Sequence, residues 1–395
     1  MSDLICAACG VAQPDGHLDL GCVECAGPLE VRVETPNVEG ALDVLKSPER
    51  RGLWRYRGLL PFASDVEPVT LGEGDTPVVS LEKWGRAAGV PKTFAKLEHL
   101  SPTGSFKDRG SAVLVTRLQE LGVRTAVEDS SGNAGASIAA YCAKAGIDAV
   151  VFAPESAPAA KLAQISAYGA ELHLIGGTRD DVTAAAKRAA EDPNTTYASH
   201  NLHPYFLEGT KTFAYEIFEH FGGCLPDHLI IPVGNGSLFL GALKGFRELM
   251  AAGCDFDMPR MHIAQVQACP PIVASMDAGR SQPVKVISRR SIAGGICVAS
   301  PPRGAQVLDA LRTNGGTAVA VGERDVWDSW TDLAEMEGLF IEPTSAAAFA
   351  ALRILRERNV IGSRDSVIFA VTGSGLKDPT PIMPNAGEKP LPQTT

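Results

Sequence analysis

The sequence predicts an α/β protein: two open αβ domains behind a small cysteine-rich module. Three observations carry that prediction. From residue 125 to 190 short apolar strands alternate with helix-length segments, the pattern of a parallel sheet covered on both faces. A second alternating run starts near residue 208 and ends on the apolar strand 366–371. Ahead of both stand Cys6, Cys9, Cys22 and Cys25 in C-x2-C-x12-C-x2-C spacing.

The 395 residues suffice for two cores plus a small module. Apolar residues make up 45% and charged residues 21%, ordinary for a globular protein. The formal net charge of −10 argues against nucleic acid as the main partner, because phosphate binding needs a basic face. No apolar run approaches the roughly 18 residues of a membrane span, and the first residues lack the basic and apolar regions of a secretory signal. The expectation is a cytoplasmic protein with no membrane partner.

Nine cysteines are an odd number, which with that expectation argues against a disulfide framework. Cys6, Cys9, Cys22 and Cys25 instead offer two knuckles of two sulfurs to one tetrahedral Zn2+. Asp15, Asp19, Glu24 and Glu30 surround them and no arginine precedes Arg32. The module, residues 1–35, therefore reads as a structural zinc ribbon rather than a nucleic-acid binder.

Residues 36–92 read as a connecting segment with short helical stretches, a turn at 71–77 and a strand at 78–80. A strand at 93–98 enters Ser101-Pro102-Thr103-Gly104-Ser105-Phe106-Lys107-Asp108-Arg109-Gly110. Pro102 and Gly104 forbid a helix through its first half, which places Lys107 in or just before the first turn of the next. The positive helix end depresses an ammonium there, and a neutral amine is what attacks an aldehyde. On this segment alone a surface lysine and a catalytic one both stand.

Strands follow at 125–129, 149–152 and 171–175, with helices at 136–145, 159–168 and 180–190. The second run reads as helix 208–220, strand 229–233, helix 238–250, strands 261–266 and 318–321, helices 324–337 and 345–358, and strand 366–371. The expected domains are 36–120 with 206–385 as the large cofactor-binding one and 121–205 as the small one. Residues 386–395 read as a disordered tail.

Ligands bind beyond the carboxyl ends of strands in open αβ sheets, and three small-residue loops fall there: 130–135, 234–237 and 372–375. Gly234-Asn235-Gly236-Ser237 has the character of a phosphate cradle, since glycines admit an anion to backbone N–H groups at a helix start. It lacks the lysine and spacing of a nucleotide P-loop.

The order of Pro-Thr-Gly-Ser-Phe-Lys-Asp-Arg-Gly, Ser-Ser-Gly-Asn-Ala-Gly, Pro-Val-Gly-Asn-Gly-Ser and Thr-Gly-Ser-Gly-Leu-Lys-Asp resembles the pyridoxal-phosphate enzymes of the tryptophan synthase β-subunit fold, and within them the threonine synthase family. The resemblance extends to the N-terminal cysteines. It implies that Lys107 holds pyridoxal 5'-phosphate covalently and shuttles the α-proton. It further implies that Asn133 bonds the ring hydroxyl, that Gly234, Asn235, Gly236 and Ser237 take the cofactor phosphate, and that Thr372 meets the pyridine nitrogen. Ser130, Ser131, Gly132 and Ala134 would bind the substrate carboxylate. A homodimer is expected by analogy with the fold.

Departures concern the substrate. Phe206 stands at a substrate-binding position where the family usually has an arginine for the substrate phosphate, and a phenyl ring offers no donor fork. Ser374 replaces a frequent histidine, and Leu238 a second asparagine. His173, His200, His203 and His262 are expected to be structural, and Glu342 either caps a helix or lies near the cofactor. The resemblance implies elimination or replacement at Cβ or Cγ of an α-amino acid, with O-phosphohomoserine to threonine as the family default. The alternative is a serine, threonine, phosphoserine or diaminopropionate type substrate. A non-catalytic descendant is opposed by Lys107, Asn133 and Thr372 standing together.

Overall fold

The computed structural model describes the chain except residues 1–2, 15–19, 34–37, 47–50, 156, 158 and 379–395; the tail at 386–395 lies outside the described residues. The elements in chain order are β1 (Asp3–Cys6), β2 (Leu29–Arg32), α1 (Val38–Lys46), β3 (Val78–Ser80), α2 (Glu82–Ala87), β4 (Lys92–Lys96), α3 (Lys107–Glu120), β5 (Thr125–Glu128), α4 (Asn133–Ala145), β6 (Asp148–Pro154), α5 (Ala159–Ala167), β7 (Glu171–Ile175) and α6 (Arg179–Ala189). They continue with β8 (Thr195–Tyr197), α7 (Pro204–Thr210), α8 (Thr212–Phe221), β9 (His228–Pro232), α9 (Ser237–Ala251), β10 (Arg260–Val266), α10 (Pro271–Asp277), α11 (Gly304–Asn314), β11 (Ala318–Val321), α12 (Glu323–Glu337), α13 (Pro343–Glu357) and β12 (Ser366–Ala370).

The chain forms two compact units. The first comprises Met1–Asp75, Ser101–Glu216 and Lys244–Cys254. The second comprises Thr76–Leu100, Ile217–Leu243 and Asp255–Thr395. Segment 121–205, expected as a domain by itself, falls whole within the first unit.

The first unit holds the antiparallel pair β1–β2 and a parallel four-stranded sheet in the order β7-β6-β5-β8. Strand β8 has only three residues and no apolar alternation; pairing with β5 defines it. Helix α3 is buried along most of its length, as a helix packed on several sides must be. The small residues of α4, Ala134, Gly135, Ala136 and Ser137, are also buried.

The second unit is a six-stranded sheet ordered β11-β10-β9-β12-β4-β3, parallel except for β3 against β4. Strand β9 is buried at all five residues, as a central parallel strand requires. Alanines 346–348, 350 and 351 of α13 are buried. Phe349 of the same helix stacks on Phe369 of β12, centroids 4.1 Å apart, and Trp84 meets both edge-on.

Some boundaries differ from expectation. Helix α4 starts at Asn133 rather than 136, with Gly132 as its N-cap. The single helix expected over 208–220 is two, α7 and α8, divided at Lys211. Helices α10 and α11 occupy stretches where no element was expected.

Candidate active site

In the first unit Lys107 is the first residue of α3 and is half-buried. The preceding turn closes with Gly104 N–H donating to the Ser101 carbonyl (2.8 Å), and Gly104 has φ +84°, a conformation suited to glycine. Asp108 staples this turn. Its carboxylate accepts from Thr103 N–H (2.7 Å), the Thr103 hydroxyl (2.5 Å) and the Ser137 hydroxyl of α4 (2.7 Å). Arg109 next to it is wholly buried and makes a two-pronged ion pair with Glu216 (2.8 and 2.7 Å). The lysine is thus anchored by its two successors, which the sequence reading left without a role.

Phe206, the expected substrate residue, is fully buried. A Cβ on Gly110 would lie 2.4 Å from its ring, so α7 approaches α3 only because residue 110 is glycine. The Lys107 Nζ stands over the Phe206 ring, 5.4 Å from its centroid. Ser130, Ser131 and Gly132 form the half-buried loop after β5, while Asn133 and Ala134 lie in the first turn of α4.

Beside this loop the carboxyl edge of the sheet gathers titratable groups. Glu128 ends β5 and His200 follows β8 by three residues. The His200 backbone N–H donates to Glu128 Oε2 (3.1 Å), and its Nδ1 lies 2.7 Å from Glu128 Oε1. Burial pushes the Glu128 carboxyl up to about 7, against the pull of Arg179 and Lys107. Burial first, and the Lys107 charge second, hold His200 well below its usual value. Asp129 accepts from Thr183 (2.6 Å) and pairs with Arg179 (3.2 Å). Arg179 also donates to the Asp129 carbonyl.

In the second unit Gly234, Asn235, Gly236 and Ser237 link β9 to the 15-residue α9. Gly236 has φ +86°, and a Cβ there would stand 2.5 Å from Val307 Cγ2. Among the described residues the buried Asn235 Oδ1 has no hydrogen-bond partner. Thr372, just beyond β12, is buried; its hydroxyl lies 2.8 Å from Ser345 Oγ and donates to Glu342 Oε1 (3.1 Å). Glu342 is the N-cap of α13, and a Cβ on Gly373 would meet its carboxyl carbon at 2.4 Å.

The histidines expected to be structural divide. His262 bonds His228 (3.0 Å), and burial pushes it down to about 3. His173 pairs with Glu171 at the surface (2.8 Å), and His203 meets the Tyr205 ring edge-on. His200 instead belongs to the edge cluster. A separation of 72 residues from Glu128 hid the pair from sequence reading.

The four N-terminal sulfurs lie within 4.8 Å of one another, with Cys6–Cys25 at 3.5 Å and Cys9–Cys22 at 3.7 Å. Tetrahedral Zn–S bonds of about 2.3 Å imply S···S near 3.8 Å. Backbone N–H groups of Ala8 and Cys9 point at Cys6 Sγ (3.3 and 3.4 Å), and that of Glu24 at Cys22 Sγ (3.4 Å). A Cβ on Gly27 would stand 3.1 Å from two of the sulfurs. These residues fit a structural metal.

Comparison with known proteins gives a consistent result. The family model described as "Pyridoxal-phosphate dependent enzyme" matches residues 69–373. A threonine synthase of Methanosarcina acetivorans is 35% identical over 97% of this chain and 94% of its own length. One of Methanocaldococcus jannaschii is 34% identical over 98% and 95%. Among solved structures, the processed form of threonine deaminase isoform 2 from Solanum lycopersicum superposes with a TM-score of 0.67 at 20% identity, over 91% of this chain and 99% of that one. A fungal L-serine ammonia-lyase from Rhizomucor miehei gives 0.68 at 20% identity, over 78% and 95%. At that identity these two speak for the fold.

Proposed function

The chain belongs to the pyridoxal-phosphate-dependent enzymes and, within them, to the threonine synthase family, and from that premise we propose that Lys107 is the centre of an elimination or replacement at Cβ or Cγ of an α-amino acid. The observation that carries the reading is the place of Lys107: first residue of α3, behind a turn fixed by Asp108. Pyridoxal phosphate, when bound, supplies the electron sink for loss of the α-proton. Lys107 holds it and moves that proton at Nζ.

The residues present fit the group. The N–H groups of Gly234–Ser237 at the start of α9 suit a phosphate, and among the described residues the buried Asn235 Oδ1 has no hydrogen-bond partner. Asn133 is assigned to the ring hydroxyl. The amides of Ser130, Ser131, Gly132 and Ala134, where α4 begins, take the substrate carboxylate. Thr372 is assigned to the pyridine nitrogen, where a neutral hydroxyl does not enforce a protonated ring.

The family default is conversion of O-phosphohomoserine to threonine. Mixing the protein with O-phosphohomoserine and assaying phosphate and threonine tests it: both appear if the default holds. One observation favours the second reading, another amino acid of the serine, threonine, phosphoserine or diaminopropionate type. The Phe206 ring is buried on Gly110 with Lys107 above it, so residue 206 itself offers no donor where the family has its phosphate-binding arginine.

The cysteine cluster is assigned one structural Zn2+. A zinc content near one per chain, lost together with the fold of residues 1–35 on chelation, is the expected result. A cytoplasmic homodimer is the assembly we assign, to be checked by sedimentation of the purified protein; among the described residues no helix is long and apolar enough to cross a membrane.

A further inference from the structure

We propose that Arg179 binds the distal anion of the substrate, and that this substrate is an α-amino acid carrying phosphate on its side chain. The proposal deepens the elimination or replacement reading above and rests on it. Phe206 leaves that reading without a donor for a phosphate ester at its own position, and the fold supplies one from elsewhere in the first unit. Arg179 is the first residue of α6, beyond the end of β7, on the edge where ligands of open αβ sheets bind. Its guanidinium ends at Asp129, the residue that leads from β5 into the substrate loop at 130. In the order β7-β6-β5-β8 that is two strands away.

The contacts place the fork. Nη1 donates to the Asp129 carbonyl, and Nη2 lies 3.2 Å from Asp129 Oδ2. A guanidinium has more N–H donors than these two contacts use, so they seat it against the root of the loop and leave others for a second anion. Exposure points the same way: the Asp129 side chain is 3% exposed and that of Arg179 is 47%. The arginine covers a buried carboxylate and turns its outer edge to solvent. Asp129 does not saturate it, since Oδ2 is shared with the Thr183 hydroxyl (2.6 Å). The 3.2 Å separation also exceeds the roughly 2.7–2.9 Å of a tight charged pair. A phosphate monoester, with about −1.5 to −2 charge and three acceptor oxygens, engages that outer edge where a hydroxyl or methyl group does not.

Two further observations set this cation beside the residues already assigned to the substrate. Burial dominates the titration of Glu128 and His200, and both also feel the same two cations. Lys107 and Arg179 favour the Glu128 carboxylate and disfavour a charged His200. The His200 ring in turn meets Phe206 edge-on, centroids 5.9 Å apart, and the Lys107 Nζ stands over the Phe206 face. Arg179 therefore acts on the neighbourhood of position 206 from outside the contact of α7 with α3. Lys107 is committed to the cofactor in the reading above, so of these two cations Arg179 is the one left for the substrate.

The test separates binding of the phosphate from the chemistry at Lys107. The holoenzyme is given O-phosphohomoserine while phosphate release is followed, and L-2-aminobutyrate in D2O while loss of the α-hydrogen signal is followed by NMR. Exchange of that hydrogen needs Lys107 and no phosphate. In Arg179→Gln the KM for O-phosphohomoserine should rise roughly tenfold to hundredfold, the worth of hydrogen bonds to a charged group, while α-hydrogen exchange slows by less than about threefold. Arg179→Lys, which keeps the charge and loses the fork, should fall between. Inorganic phosphate should compete with O-phosphohomoserine in the parent and cease to do so in Arg179→Gln. An unchanged KM, or equal losses with both compounds, would overturn the proposal, the second because an arginine that only braces the loop through Asp129 serves every substrate alike. Phosphate release by the parent from neither O-phosphohomoserine nor O-phospho-L-serine, with α-hydrogen exchange intact, would also overturn it. No exchange by the parent would instead overturn the reading of Lys107 on which it rests.

Discussion

The carboxyl edges of the two sheets carry different groups. The edge of the six-stranded sheet carries the backbone amides of 234–237 and the hydroxyls of Thr372 and Ser345, with one carboxyl, Glu342, bonded to Thr372 (3.1 Å). The edge of the four-stranded sheet gathers Glu128, Asp129, His200 and Arg179, which bond or pair with one another. The first suits an invariant anion, since main-chain N–H groups and a helix end bind phosphate whatever the substrate. The second is built of side chains that can be exchanged one at a time, and the Phe206 ring lies edge-on to its His200.

The sharpest break would come from Lys107→Ala. Turnover should fall by roughly 10³-fold or more with the far-ultraviolet circular dichroism unchanged, because Asp108 and Arg109 hold the start of α3 without the lysine. Next, Phe206→Arg asks whether the charged edge accepts the family's arginine at 206 as well. A guanidinium buried against Gly110 and under Lys107 finds like charge, so urea unfolding should show a loss of about 3 kcal/mol and no gain of phosphate-ester activity. Faster phosphate release at parental stability would show that the edge is not committed as argued.

On the uncharged edge, Gly236→Ala forces a residue at φ +86° and a contact 2.5 Å from Val307. The strain of about 1–3 kcal/mol should appear as roughly tenfold to hundredfold weaker cofactor binding in a fluorescence titration. An unchanged affinity would remove the cradle from the account.

The smallest effect concerns pH. Glu128, raised from 4.5 to about 7 by burial, binds its proton more tightly when folded, so its stabilisation is full below pH 4.5 and is lost as pH rises through 7. His200, held below 6.5, stabilises the fold above pH 6.5 and less as pH falls. The two oppose each other between about pH 4.5 and 6.5. Glu128→Gln removes one arm, so its urea-unfolding free energy should rise from pH 5 to 7 by about 1–2 kcal/mol more than the parent's. Parallel curves would contradict the assigned pair.

Sequence and structure agree where local chemistry decides. Pro102 and Gly104 stop one element and start another, so Lys107 at the head of α3 was legible, as was β11 from its apolar run. Helix α4 begins three residues early because Asn133 and Gly135, poor helix formers, are tolerated where Gly132 caps the helix. The break between α7 and α8 leaves the apolar periodicity intact, and β8 exists only through its partner β5. The four cysteines announce their own proximity by spacing. Glu128 and His200 could not, since only the order β7-β6-β5-β8 brings the ends of β5 and β8 side by side.

The most direct test of the account is to reduce the purified protein with borohydride and map the cofactor-labelled peptide by mass spectrometry. One pyridoxyl-phosphate adduct is expected, on Lys107, and none in Lys107→Ala. A label on another lysine, or none on a protein whose visible spectrum shows bound cofactor, would contradict it.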